Sequence, residues 1–337
     1  MTLLTAMLDD PRGYGRIIRA RNGVFRRIVE EKDASEAEKQ IHEINSGVYC
    51  FRGRDLWPAL QKLENKNRAH EYYLTDVVAL IKGKVDTMLV GDAREILGIN
   101  DRRQLAQAEH IMRERIVDDL MSQGVTMTDP ASTFVDADVS IGQDTVIHPF
   151  STITGHSVVG QDCVIGPMTQ IRDSTVGDGC RVERSHLEHV KIASNVVIGP
   201  FSRLRPGTEL ADGVHIGTHT EIKNSKIGAG SAVPHFSYLG DAVVGANVNI
   251  GAGSITANWN GFEKNVTEIG DSVYVSCDTI FVAPVRVGSD ATTAADTVVT
   301  KDVPAGSLAI GRAEMKIVEG YTARRRARRN ASKAAKK

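Results

Sequence analysis

Residues 205–264 hold a cluster of side chains able to bind an anion or move a proton: Arg205 in RLRPGTEL, Lys223 in EIKNS, His235 and Tyr238 in VPHFSYLGDA, and Lys264 in NWNGFEKN. Arg205 and Lys223 are eighteen positions apart. If the chain winds in coils of that length, their heads fall at one level of one face, and two aligned cations suit a phosphate. A histidine titrates near neutrality, so His235 suits removal of a proton from an amine nucleophile. Glu221, placed a coil below, is a candidate to orient that ring. A ladder of solvated charges and a hydrogen-bonded turn histidine are the plainer readings of the same residues. A zinc site built from His215, His219 and His235 is a third, although neighbours four apart in such a coil face different sides.

The coil is written in the apolar pattern. From Val135 the anchors fall every sixth residue through Ile141, Ile147, Ile153, Val159, Ile165 and Ile171. The step shortens to five around Val176, Val182, Leu187 and Ile192, then recovers at Ile198, Leu204, Leu210, Ile216 and Ile222. Further runs follow from Val233 to Ile250 and from Ile269 to Val299, with Thr293 at an anchor position. A period of six fits neither a helix nor a half-buried strand. It fits a triangular coil of three six-residue sides, with glycines such as Gly142, Gly166, Gly199, Gly217 and Gly251 at the corners. The expected fold is a left-handed parallel β-helix of roughly nine coils.

The front of the chain has another rhythm. GRIIRA, VFRRIVEE and NSGVYCFRG read as strands, and residues 71–81 and 101–124 as helices. The second helix places Leu105, Ile111, Ile116 and Leu120 on one side. The expected order is an incomplete α/β nucleotidyltransferase-like piece over residues 1–102, a linker helix over 103–125, the β-helix over 126–322, and a basic disordered tail over 323–337. That tail carries eight basic residues from Arg324 onward against a whole-chain net charge of −1, so the remainder carries −9. It reads as a solvated segment, and nucleic acid is not expected as a partner. No apolar run is long enough for a membrane span. Four scattered cysteines and the lack of a signal-like start suggest a cytoplasmic protein.

RLRPGTEL, EIKNSKIG, VPHFSYLGDA, VNIGAGSIT and VAPVRVG, together with TLLTAMLDDPRGYGRI, IVEEKDA, EINSGVY, HEYYLTDVVAL and GIND, resemble one family over nearly the whole chain. It is the bifunctional glucosamine-1-phosphate N-acetyltransferase and N-acetylglucosamine-1-phosphate uridylyltransferase family, which feeds UDP-N-acetylglucosamine and cell-wall synthesis. The resemblance implies that His235 takes the amine proton during attack on acetyl-CoA and that Glu221 orients it. It implies glucosamine-1-phosphate contacts from Arg205, Lys223, Tyr238, Asn249, Asn258 and Lys264. Ala252, Cys277, Ala295 and Arg312 would line an acetyl-CoA groove between subunits of a homotrimer. Gly15, Glu30, Asn45 and Asn100 match positions that hold UDP-N-acetylglucosamine, with Asn100 also a ligand for the Mg2+ of the uridylyltransferase half.

The sequence departs from the family pattern at identifiable places. The family's opening segment with its glycine-rich nucleotide loop precedes the point where this sequence begins, so uridylyl transfer is expected to be lost. Trp259 and Asn260 replace Tyr and Asp, Cys277 replaces Ser, and Thr218 and His219 stand where Asn and Phe are usual. A thiol is a weaker donor than a hydroxyl, which points to reduced acetyl transfer. A hexapeptide acetyltransferase with another acceptor and a non-catalytic trimeric scaffold are the alternative readings.

Overall fold

The computed structural model describes residues 1–66 and 70–334 and divides into two compact units, 1–112 and 113–337. The first unit is built on a five-stranded sheet of β1 (Thr2–Met7), β2 (Arg16–Arg19), β3 (Phe25–Val29), β4 (Glu43–Cys50) and β5 (Asp86–Leu89), in the order β3-β2-β4-β1-β5. The three expected strands are β2, β3 and β4. β1 pairs antiparallel with β4 and parallel with β5. Leu3, Ala6, Ile17 and Ile44 are buried, and an irregularity in the β1–β4 register between Leu3 and Thr5 interrupts strict alternation along β1. The 71–81 segment forms only a short turn of helix, Leu74–Asp76 running into Val77–Leu80.

The second unit is a parallel solenoid with three faces, of eleven, ten and nine strands among the described residues. In chain order the first face begins at Thr126–Met127, the second at Phe134–Val135 and the third at Ser140–Ile141. That makes about ten turns rather than nine. All the apolar anchors named above are buried. Branched side chains dominate because each strand packs one row into the column and turns the alternate row outward. The turn length varies. It is eighteen where Thr152 pairs with Gln170, sixteen where Thr175 pairs with Lys191, and seventeen where Thr220 pairs with Ser237. The sixteen-residue turns coincide with the shortened anchor step. One turn is far longer: Ala242 pairs with Thr267, twenty-five positions on.

The glycines after the anchors serve a different purpose from the expected one at several corners. Gly217 and Gly251 do not have positive φ; a Cβ there would meet Pro234 O at 1.8 Å or Cys277 N at 2.7 Å in the next turn. They are small because the coil above touches them. Much of the left-handed backbone falls instead on Asp and Asn, including Asp144, Asp162, Asn195, Asn224 and Asp241. Their short polar side chains tolerate that conformation.

The helix spans Arg102–Ser122. Val117 and Leu120 join the solenoid core, and Leu105, expected on the packed side, is exposed. The expected disordered tail is partly a helix, Tyr321–Ala334, exposed throughout residues 321–332. Alanine and arginine are strong helix formers, which accounts for the difference. Residues 335–337 of the tail lie outside the described residues. No helix among the described residues is long and apolar enough to cross a membrane.

Candidate functional site

The second face carries the cationic residues. Arg203 and Leu204 pair with Glu221 and Ile222, and Glu221 and Ile222 pair with Tyr238 and Leu239. Arg205 therefore stands directly under Lys223, joined by its amide donating to Ile222 O at 2.9 Å. The eighteen-residue alignment holds. Lys223 in turn lies under Gly240. A Cβ on Gly240 would meet Tyr238 Oη at 2.4 Å and Asn258 Nδ2 at 2.7 Å, so both polar groups lean over this bare backbone.

Lys264 arrives from above on the extra residues of the long turn. These form a small hairpin at the corner between the second and third faces. Asn265 N donates to Asn258 O at 2.8 Å, and Trp259 bridges Lys264. Asn260 Oδ1 accepts from the amides of Phe262 and Glu263, both at 2.9 Å. An amide oxygen fills that turn-forming role as a carboxylate would, so Asn260 holds the hairpin at the position where the resemblance led to the expectation of Asp.

Lys223 and Lys264 lie near enough to act on one another's charge. The Lys223 ammonium is held below the ordinary lysine range, first by the neighbouring Lys264 amine, then by desolvation and by the charges of Lys264 and Arg205; Asp241 opposes them. Asp241 is buried at the same corner. Asn224 Nδ2 donates to its Oδ1 at 2.6 Å, and Asn258 Nδ2 donates to its Oδ2. Burial pushes the Asp241 carboxyl up, but these two hydrogen bonds and the nearby lysine charges outweigh it and hold the group low. Neither Asp241 nor Asn224 stood out in the sequence, because Asp and Asn recur at many corners of the repeat.

His235 occupies the opposite edge of this face, at the corner with the first face, and is exposed. The registers on both sides are seventeen, so His235 stands above Thr218 and beneath Ala252. The next registers, of twenty-five and eighteen, extend that column to Cys277 and Ala295. Arg312 Nη1 donates to Ala295 O at 3.0 Å and closes the column. Small residues thus rise from the imidazole along one edge. Asn249 lies on the first face, three residues before Ala252.

Glu221 does not partner His235. It accepts from Arg205 Nη1 at 2.8 Å, and no hydrogen bond to His235 is present among the described residues. The reason is register. Glu221 lies three residues past Thr218, the position under His235, and beside the Arg205 strand below. His219 Nδ1 lies 2.6 Å from Thr218 Oγ1 and its ring lies 5.3 Å from Phe201, so it fills an aromatic position in its own corner stack. No group of three His, Cys, Asp or Glu residues able to hold a metal occurs among the described residues. A groove of about 520 Å3 on the third face has Lys226 already paired with Glu209 at 3.2 Å and no histidine in its lining.

In the first unit three of the four sugar-nucleotide candidates converge. Asn45 N donates to Gly15 O at 2.8 Å, and a Cβ on Gly15 would meet both Glu30 carboxylate oxygens at 3.4 Å. Thr75 Oγ1 donates to Glu30 at 3.0 Å and Asn45 Nδ2 to Tyr49 Oη at 2.7 Å. Burial raises the Tyr49 phenol, helped by the Glu30 charge and opposed by Asn45. Asn100 is exposed, its amide held by Gln104 at 2.6 Å. Asn100 offers one exposed amide oxygen, and among the described residues no group of three His, Cys, Asp or Glu side chains able to hold a metal gathers there.

Residues 138–173 and 189–224 match the bacterial transferase hexapeptide (six repeats) family. Over 318 residues the chain is 48% identical to a protein named bifunctional protein GlmU from Syntrophomonas wolfei, covering 94% of this chain and 71% of the relative. It is 45% identical over 332 residues to the protein of that name from a Geobacillus strain, covering 98% and 72%. The Heliobacterium modesticaldum protein is 48% identical over 327 residues, covering 96% and 71%.

Proposed function

Because this chain belongs to the family of bifunctional GlmU proteins, we propose that its left-handed β-helix transfers an acetyl group from acetyl-CoA to the amine of glucosamine-1-phosphate, a step toward UDP-N-acetylglucosamine. The observation that carries the reading is the stacking of Arg205 directly under Lys223 at the corner that the hairpin bearing Lys264 overhangs. Gathering three cations costs Lys223 part of its own charge stability, and a phosphate dianion reverses that cost.

In this reading Arg205, Lys223 and Lys264 hold the phosphate, while Tyr238, Asn249 and Asn258 contact the sugar. The amine nitrogen attacks the thioester carbonyl. The C–N bond forms, the C–S bond breaks, and the thiolate of CoA leaves. His235 takes the proton that the amine must lose. An amine is nucleophilic once deprotonated, so no acyl-enzyme is required. The pantetheine arm follows Ala252, Cys277 and Ala295, with Arg312 at the far end. That column is open on its outer side, which suits a site completed by a neighbouring subunit of a homotrimer.

The test is acetyl transfer to glucosamine-1-phosphate, read as release of CoA thiol, by the wild type and by His235→Ala. A general base contributes about 10²–10⁴-fold, so the variant should lose at least a hundred-fold in kcat. Full activity in the variant would sink the mechanism.

A further inference from the structure

The column Asn224–Asp241–Asn258 occupies one corner of three successive turns, and its middle member is a buried carboxylate. Both oxygens of Asp241 are taken by side-chain amides, and no ion pair joins it to Lys223 or Lys264 among the described residues. An acid wedged beside cations yet bonded to neither is oddly placed for a salt bridge. It is well placed as an anchor. Asn258 is the residue at which the chain leaves the coil, and its carbonyl accepts from Asn265, where the hairpin closes. Lys264 adjoins that closure and bridges Trp259. The carboxylate therefore holds the base of the hairpin that brings Lys264 over Lys223.

We infer that Asp241 is a positioning residue for the anion site: through Asn258 it fixes the hairpin and so the reach of Lys264 to the phosphate. The inference rests on the functional reading above for its substrate. Its geometry concerns any phosphate bound there. Two effects of losing the charge oppose each other. Removing a nearby anion strengthens the local field and should tighten phosphate binding by a few-fold in solvent-screened surroundings. Releasing the hairpin removes a charge-assisted contact and should weaken binding by about ten-fold or more. The sign of the change therefore decides between an electrostatic neighbour and an anchor.

The experiment measures KM for glucosamine-1-phosphate, kcat at saturating acetyl-CoA, and calorimetric affinity for inorganic phosphate. It uses the full chain as wild type, Asp241→Asn, and the exchange of Asp241→Asn with Asn224→Asp, which leaves Asn258 in place. The single variant keeps the shape of the side chain but has one acceptor where two are used. The expected result is KM raised about ten-fold or more with kcat within about three-fold, and phosphate affinity lowered in parallel. The exchange restores a donor–acceptor pair across the same two turns and should recover most of the affinity. Unchanged or tighter phosphate binding in Asp241→Asn overturns the inference. If that variant does not fold, the exchanged pair decides: an affinity near wild type supports the anchor, and a loss despite a folded chain overturns it. A wild type that transfers no acetyl group refutes the functional reading instead, and the phosphate titration still decides this one.

Discussion

Arg205 donates to Glu221 across a single turn of the solenoid, guanidinium to carboxylate at 2.8 Å, with both side chains partly exposed. An incoming phosphate competes with Glu221 for that guanidinium. A half-exposed pair of this kind is worth about 0.2–1 kcal/mol. Glu221→Gln should therefore lower KM for glucosamine-1-phosphate by up to about five-fold. A steady-state titration that finds KM raised instead would show that Glu221 supports the phosphate site.

The depressed Lys223 ammonium gives a pH dependence with a definite sign. In the free protein Lys223 begins to lose its proton below the ordinary lysine value of 10.5. A bound phosphate favours the charged form, so binding takes up protons, and affinity falls as pH rises toward that value. Calorimetry with inorganic phosphate in two buffers of different ionisation enthalpy, at a pH close to the ordinary lysine value of 10.5, should give different apparent heats. Identical heats would exclude the linkage.

Cys277 is exposed in the column above His235, whereas Cys163 and Cys180 are buried. In a Cys50→Ser background, a maleimide should modify Cys277 and stop acetyl transfer, and acetyl-CoA should slow the modification. If the fully modified protein remains active, the pantetheine arm does not run along this column.

Thr293 sits at a core position where the repeat calls for a branched hydrocarbon, yet it is fully buried and satisfied. Ser276 N donates to its Oγ1 at 3.1 Å, and Thr279 Oγ1 lies at 2.9 Å. Thr293→Val strands the Ser276 amide, which should cost about 1–3 kcal/mol despite the apolar gain. Denaturant unfolding monitored by circular dichroism gives the value. A stabilised variant would mean that the amide finds another partner.

The column of anchors was legible because inward packing dictates one branched side chain per side, turn after turn. Even the change from six-residue to five-residue steps matched the sixteen-residue turns that pair Thr175 with Lys191. The alignment of Arg205 with Lys223 followed from the same arithmetic. The Glu221–His235 pairing failed on it: their turns are seventeen apart while the residues are fourteen apart, so Arg205 is the nearer partner. Asp241 was hidden by its company. An acid at a left-handed corner is common in this chain, and only the packed structure separates the one that anchors a hairpin from those that merely turn the chain. The tail helix escaped notice because its charge density pointed to a solvated coil, while its alanines and arginines favour a helix.

The long turn has a consequence for how such a site can arise. Stretching one step from seventeen residues to twenty-five adds only about 0.3 kcal/mol of loop-closure entropy by the logarithmic length law. The strands beyond it resume an eighteen-residue spacing, so the stack continues undisturbed. A ladder of near-identical rungs can thus accept a new arm at a corner with little thermodynamic resistance, and selection can rework the reach and sequence of that arm while the rungs stay as they are.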